Sequence, residues 1–215
     1  MDTSAIRYNR DEGGIVTLVI DEPSGPVNLM SEVFETSLKE TVDRLYAERD
    51  DIAGVIITSA KKTFFAGGDL EKLRSVTPDQ AAEFADYMNG LKADMRRLEQ
   101  LGKPVVAAIN GAALGGGLEL ALATHHRIAA NTPGNRIGLV EVGLGLLPGA
   151  GGVTRVVRML GLQRALTEVI LPATRFPVQK ALELGLIDEV VETVEELEPR
   201  AREWIAANPG ASQPW

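Results

Sequence analysis

The chain has 215 residues, 45% of them hydrophobic and 24% charged, which suits one ordinary globular domain of roughly 100–200 residues. Its formal net charge of −8 argues against a general nucleic-acid binder, which needs a basic footprint, but leaves room for a phosphate-bearing small ligand held by backbone N–H groups or a local cluster. The chain has no cysteine, which excludes disulfides, thiol catalysis and Cys-type zinc sites.

Met1 to Arg10 is polar, so no secretory signal is expected, and no stretch reaches about 18 consecutive apolar residues, so no membrane span is expected. The cytoplasm is the expected location. Ile15–Ile20 reads as a strand, and the segment from Asp21 to Met30 as a loop. Ser31 is a suitable N-cap for a helix carrying Phe34, Leu38, Val42 and Leu45 on one face, ending near Asp50. Ile52–Thr58 reads as a buried strand, followed by a loop from Lys61 to Asp69. Pro78 starts a second helix with Phe84, Tyr87, Leu91, Met95 and Leu98 on one face. Pro104–Ile109 is another apolar strand, Asn110-Gly111 a turn, and Gly115 to Thr124 a short helix opened by three glycines. His126–Ala130 reads as a further strand. Gly152–Gly161 and Pro177–Gly185 read as helices, the second closed by its glycine. Ile187–Val191 is a short strand, and Val194–Ala207 a charged helix. The alternation of strands apolar on both faces with helices predicts an α/β fold whose sheet layers are covered by helices.

Three glycine-rich segments stand out: Phe65-Ala66-Gly67-Gly68-Asp69, Leu114-Gly115-Gly116-Gly117-Leu118-Glu119 and Leu147-Pro148-Gly149-Ala150-Gly151-Gly152. Glycine admits close approach of a ligand to the backbone, and a triple glycine at a helix start leaves free N–H groups suited to a developing oxyanion. None of the three matches a phosphate loop or a dinucleotide fingerprint. Glu119 and Glu141 each lie in mostly apolar runs. Burial raises a carboxylate pKa, and two neighbouring carboxylates push their values apart, as a paired acid and base require. Taken singly, either glutamate reads as readily as a surface or salt-bridged residue, and oligoglycine as a tight turn. His125-His126 lacks a third ligand and a ligand spacing, so no metal site is expected. Lys61-Lys62 reads as a solvated loop rather than a phosphate contact, and the acidic run around Glu192–Glu198 as a solvated helix face.

Together these segments resemble the enoyl-CoA hydratase/isomerase (crotonase) family over about Ile15 to Val191. The similarity is carried by Ala66 to Leu70, by Asn110 to Ala121, by Ile137 to Gly152 and by Arg175 to Val191. It implies a spiral of stacked ββα units, with residues 1–191 as the family domain. It further implies that the backbone N–H groups of Ala66 and Gly116 bind a thioester oxygen, that Glu119 and Glu141 hold and activate a water, with Glu141 the proton donor to the α-carbon, and that Ala66, Gly67, Gly68, Asp69 and Leu70 line the coenzyme A path. The implied reaction is syn hydration of a 2-trans-enoyl-CoA in fatty-acid β-oxidation; the alternatives are a Δ3,Δ2-enoyl-CoA isomerase or an acyl-CoA-binding module with little turnover. Coenzyme A would enter with the substrate, so no separate cofactor is implied. The implied partners are an acyl-CoA thioester and either further copies of the chain, as trimer or hexamer, or a larger multifunctional assembly, with no nucleic acid and no membrane. Two departures stand out. Val140 takes the place where the family usually has proline, which loosens that loop. Residues 192–215 resemble the start of a linker in multifunctional fatty-acid oxidation proteins rather than the C-terminal helices of stand-alone members.

Overall fold

Run length and alternation decide where each strand lies. In this computed structural model, which describes residues 4–213, β1 (Ile6–Arg10) and β2 (Ile15–Ile20) form an antiparallel hairpin at the edge of a six-stranded sheet. β2 alternates buried and half-buried residues, whereas β3 (Gly54–Ser59) and β4 (Val105–Ile109) are buried almost throughout, as strands covered on both faces must be. With β6 (His126–Ala130) and β9 (Glu189–Val191) they complete the order β1-β2-β3-β4-β6-β9, parallel beyond the first hairpin. A second, three-stranded sheet holds β5 (Ala113–Leu114), β7 (Arg136–Gly138) and β8 (Phe176–Pro177) in the order β5-β7-β8.

The chain winds between the two sheets. After β3, Phe65 bridges Ala113 of the small sheet, and α2 (Leu70–Ser75) and α3 (Ala81–Glu99) follow. After β4 come β5 and α4 (Gly116–Leu122); after β6 come β7 and α5 (Gly152–Leu160). The second and third turns each lay one strand on each sheet and a helix beside them, while the first has a single bridge and two helices; this is the expected spiral of ββα units.

α1 (Glu32–Ala47) starts where its cap places it: Ser31 Oγ accepts the Phe34 N–H at 3.2 Å. Phe34, Leu38, Val42 and Leu45 are all buried, each contributing roughly 1.5–3 kcal/mol of transfer free energy. On α3 only the C-terminal half follows that pattern. Leu91, Met95 and Leu98 are buried, but Phe84 and Tyr87, expected on the same core face, are half-exposed and line a cavity.

The sequence reading passed over β1, β5, β7, β8 and α2, and over α6 (Leu162–Arg164), which runs into a π-helical turn at Ala165–Ile170. β5 and β8 have two residues each, too few for any periodicity, and β1 is a polar edge strand. α7 (Val178–Leu184) ends at Gly185 in the left-handed conformation, as expected. α8 (Leu197–Ala207), in the segment expected to be a charged helix, lays Leu197, Ala201 and Ile205 on the second face of the large sheet against Ile56, Val106 and Ile128. Gly54 makes room for it, since a Cβ there would come 2.4 Å from Ile205 Cγ2. Among the described residues no helix is long and apolar enough to cross a membrane.

Candidate active site

A cavity of about 460 Å³ opens where the start of α4, the loop before α5, and the helices α1, α2 and α3 meet. Glu119 and Glu141 both line it, as do Ala66, Gly67, Gly68, Asp69, Leu70 and Gly116. The residues singled out in the sequence thus share one cavity.

Glu119 sits in the first turn of α4 and is only 2% exposed. Its Oε1 accepts the N–H groups of Ala150 at 2.9 Å and Gly152 at 2.7 Å. Burial pushes its pKa up to about 7, with the charge of Glu141 pushing the same way; the two N–H groups and Arg155 pull it back. Gly152 is required here, because a Cβ would stand 2.8 Å from Glu119 Cγ.

Glu141 opens a 3-10 turn, Glu141–Leu144, after β7. Burial raises its pKa, and the amides of Glu141 and Val140 oppose the rise. The departure at Val140 therefore supplies an N–H that proline lacks. Glu141 Oε2 is buried and has no hydrogen-bond partner among the described residues. Its other oxygen lies over Gly115, where φ is +52 and a Cβ would come within 2.7 Å, so that position needs glycine for both conformation and space.

The expected oxyanion donors need one correction. The Ala66 N–H donates to the Asn28 carbonyl at 2.9 Å, so it is not free for a ligand. Asn28 is itself fully buried and anchored: its side chain accepts the Glu22 N–H at 3.0 Å and donates to Ser59 Oγ at 2.8 Å and the Phe64 carbonyl at 3.0 Å. Gly68 and Gly116 line the cavity, and among the described residues neither N–H meets an acceptor. They are the pair available to an oxygen. A parallel bridge between Met30 and Gly68 fixes the first, and its partner is N1 of α4. The sequence carried a signal for Gly68, the second glycine of a pair; which of two adjacent amides turns outward depends on pairing with Asn28 and Met30. Asp69 caps α2 by accepting the N–H groups of Glu71 and Lys72, so its carboxylate lines the cavity as a structural group.

Arg155, which the sequence reading passed over, lies behind Glu119. It is buried, pairs through Nε with Glu99 Oε1 at 2.6 Å, and donates to the Ala150 carbonyl at 3.2 Å. It thereby braces the loop whose amides hold Glu119. Lys61, expected in a solvated loop, donates to the carbonyls of Glu22, Gly25 and Val27 and staples the segment before α1. His125 accepts the Val105 N–H on Nδ1 and meets the Glu99 carbonyl through Nε2, while His126 stacks on Trp204 with ring centres 4.4 Å apart. Among the described residues no group of three His, Asp or Glu is placed to hold a metal ion.

The family description "Enoyl-CoA hydratase/isomerase" matches residues 10–211. The chain belongs to that family. It is 40% identical over 193 residues to the fatty acid oxidation complex subunit alpha of Shewanella loihica, covering 89% of this chain and 26% of that protein. The corresponding subunit of Idiomarina loihiensis is 39% identical over 183 residues, covering 85% and 25%. The chain thus spans about a quarter of the length of these curated relatives. Enoyl-CoA hydratase from Bacillus anthracis superposes with a TM-score of 0.83 at 34% identity, covering 95% of this chain and 76% of that one. Human mitochondrial delta3-delta2-enoyl-CoA isomerase gives 0.81 at 30% identity, covering 95% and 77%.

Proposed function

We propose that the chain is an enoyl-CoA hydratase that adds water to a 2-trans-enoyl-CoA and forms a 3-hydroxyacyl-CoA. The observation that carries this reading is the meeting, in one cavity, of the buried Glu119 and half-buried Glu141 carboxyl groups with the free N–H groups of Gly68 and Gly116. In the proposed reaction the thioester oxygen lies between those two amides. The Glu119 carboxylate takes a proton from water as the water oxygen bonds to the β-carbon. The π electrons move toward the thioester, and negative charge gathers on its oxygen. Glu141 gives its proton to the α-carbon as the carbonyl re-forms, and proton exchange through water resets the pair. Preorganised amides are most effective on such a charge, and loss of one donor typically costs about 10²–10³ in rate.

The two glutamates are suited to different tasks. Two N–H groups hold one oxygen of Glu119 and favour its ionised form. Glu141 has an unpartnered buried oxygen, which favours the protonated form. The same bare oxygen supports a second reading, a one-base proton shuttle that moves a double bond from the 3- to the 2-position. The names of the relatives support a place in fatty-acid β-oxidation and in a multifunctional assembly.

The test is the loss of conjugated-enoyl absorbance when the purified chain meets crotonyl-CoA, with 3-enoyl-CoA in a parallel cuvette. Decay that Glu119→Gln and Glu141→Gln each abolish supports hydration. Appearance of the conjugated product from 3-enoyl-CoA without hydration would transfer the reading to the isomerase. Wild-type rates in both variants would sink both assignments.

A further inference from the structure

Most of the cavity wall is hydrocarbon: Leu70, Leu73, Phe84, Met88, Leu144 and Leu147 line it from α2, α3 and the segment after Glu141. One patch is not. Glu35, from the first turn of α1, and Tyr87, from α3, are both half-buried and both face the cavity. The Tyr87 hydroxyl donates to Glu35 Oε1. The Lys72 ammonium of α2 lies 3.6 Å from the centre of the Tyr87 ring and 2.9 Å from Glu32 Oε1. Three helices thus converge on one polar patch that the proposed hydration does not use.

The patch has capacity to spare. Glu35 Oε2 makes no hydrogen bond among the described residues, and the Tyr87 oxygen accepts none. Burial pushes the Glu35 carboxyl up to about 7, against the Tyr87 hydrogen bond and the Lys72 charge. Near neutrality it is therefore present both as acid and as carboxylate, and it can donate to or accept from a hydroxyl. A tie between α1 and α3 accounts for the Tyr87–Glu35 bond alone. It does not account for the placing of the pair in a cavity wall otherwise formed by those apolar side chains. A plain alkyl chain seated against it would strip water from Glu35 Oε2 and leave that oxygen unpaired.

We propose that Glu35 and Tyr87 form a polar subsite for a hydroxyl group carried on the acyl part of the thioester, so that the cavity selects hydroxylated acyl chains over plain alkyl chains. This rests on the acyl-CoA reading of the cavity.

The test uses matched pairs of 2-enoyl-CoA esters of increasing chain length, each with and without a terminal hydroxyl. kcat/KM is measured for each member with the wild type, Glu35→Leu, Glu35→Gln and Tyr87→Phe. In parallel, calorimetry gives Kd for the saturated acyl-CoA pairs. At the length that reaches the patch, the wild type is expected to favour the hydroxylated member by roughly 10- to 100-fold. Glu35→Leu and Tyr87→Phe are expected to reduce that ratio by about tenfold, and Glu35→Gln, which can still accept from Tyr87, by less. Because each figure is a ratio within one protein, a partly folded preparation does not imitate the effect. Equal or inverted preference at every length in the wild type overturns the proposal. So does an equal loss for all esters in Glu35→Leu, which would assign the patch to the coenzyme A arm common to them. If nothing turns over but the Kd preference appears and responds to the variants, the hydratase reading fails and the subsite stands. If no acyl-CoA binds, both fall.

Discussion

The floor of the cavity and its rim are built in opposite ways. The floor consists of Gly115 to Glu119 and Ala150 to Gly152: buried backbone fixed by hydrogen bonds, with a carboxylate 2% exposed. At Gly115, Gly117, Gly151 and Gly152 an added Cβ would come within 2.8 Å of a neighbouring atom. The rim consists of α2, the first half of α3 and the segment after Glu141, where Leu144 is 55% and Leu147 76% exposed. The difference follows from what each part meets. A developing charge needs dipoles already fixed in place, whereas an acyl chain of varying shape needs only apolar area.

Removing either carboxylate of the proposed acid/base pair should break that contrast most severely. Glu119→Gln and Glu141→Gln should each lower kcat/KM about 10²–10⁴-fold, read from crotonyl-CoA decay. Glu119 also sets a pH limb. As pH falls through about 7, Glu119 gains a proton and can no longer take one from water, so wild-type kcat/KM should decline below that pH.

The brace behind the floor comes next. Arg155→Met leaves Glu99 buried beside only Arg96, at a cost of about 3 kcal/mol read as a lower denaturation midpoint. It also removes the cation that pulls the Glu119 pKa down, so the acid limb should move to higher pH. Gly117→Ala places a Cβ 2.3 Å from the Phe65 carbonyl oxygen, and should cost about 1–3 kcal/mol of stability. A midpoint unchanged in either variant would mean that the floor yields more than its packing indicates.

Glu119→Gln carries a second expectation of opposite sign. A carboxyl whose folded pKa is raised from 4.5 to about 7 contributes stability that is present below pH 4.5 and lost as pH rises through 7. The amide avoids that loss and can still accept both N–H groups. Thermal unfolding at pH 8 should therefore find the inactive variant more stable by about 1–3 kcal/mol, with the gain vanishing below pH 4.5. The rim should give the smallest response: Leu147→Ser should shift stability by less than about 0.5 kcal/mol. A larger loss would show that the rim is packed in solution rather than open.

The same contrast governs what could be read in advance. Buried strands announce themselves by β-branched runs, and α1 by its cap and four evenly spaced apolar residues, because those signals lie within one element. The glycine segments and the two glutamates were legible for the same reason: a chain that must approach a ligand closely needs glycine, and an acid kept partly neutral needs apolar neighbours. The sequence by itself thus pointed to the α/β class, the glycine segments and the two glutamates, and its resemblance to the family pointed to the spiral. Tertiary structure alone decided which amides stay free, because Asn28 takes the Ala66 N–H and leaves Gly68. It alone seated Arg155 behind Glu119 and brought Glu35, Tyr87 and Lys72 from three helices to one wall. It also turned Phe84 and Tyr87, spaced as core residues, onto a cavity. Each of these outcomes depends on a partner distant in sequence, and local pattern holds no record of such a partner.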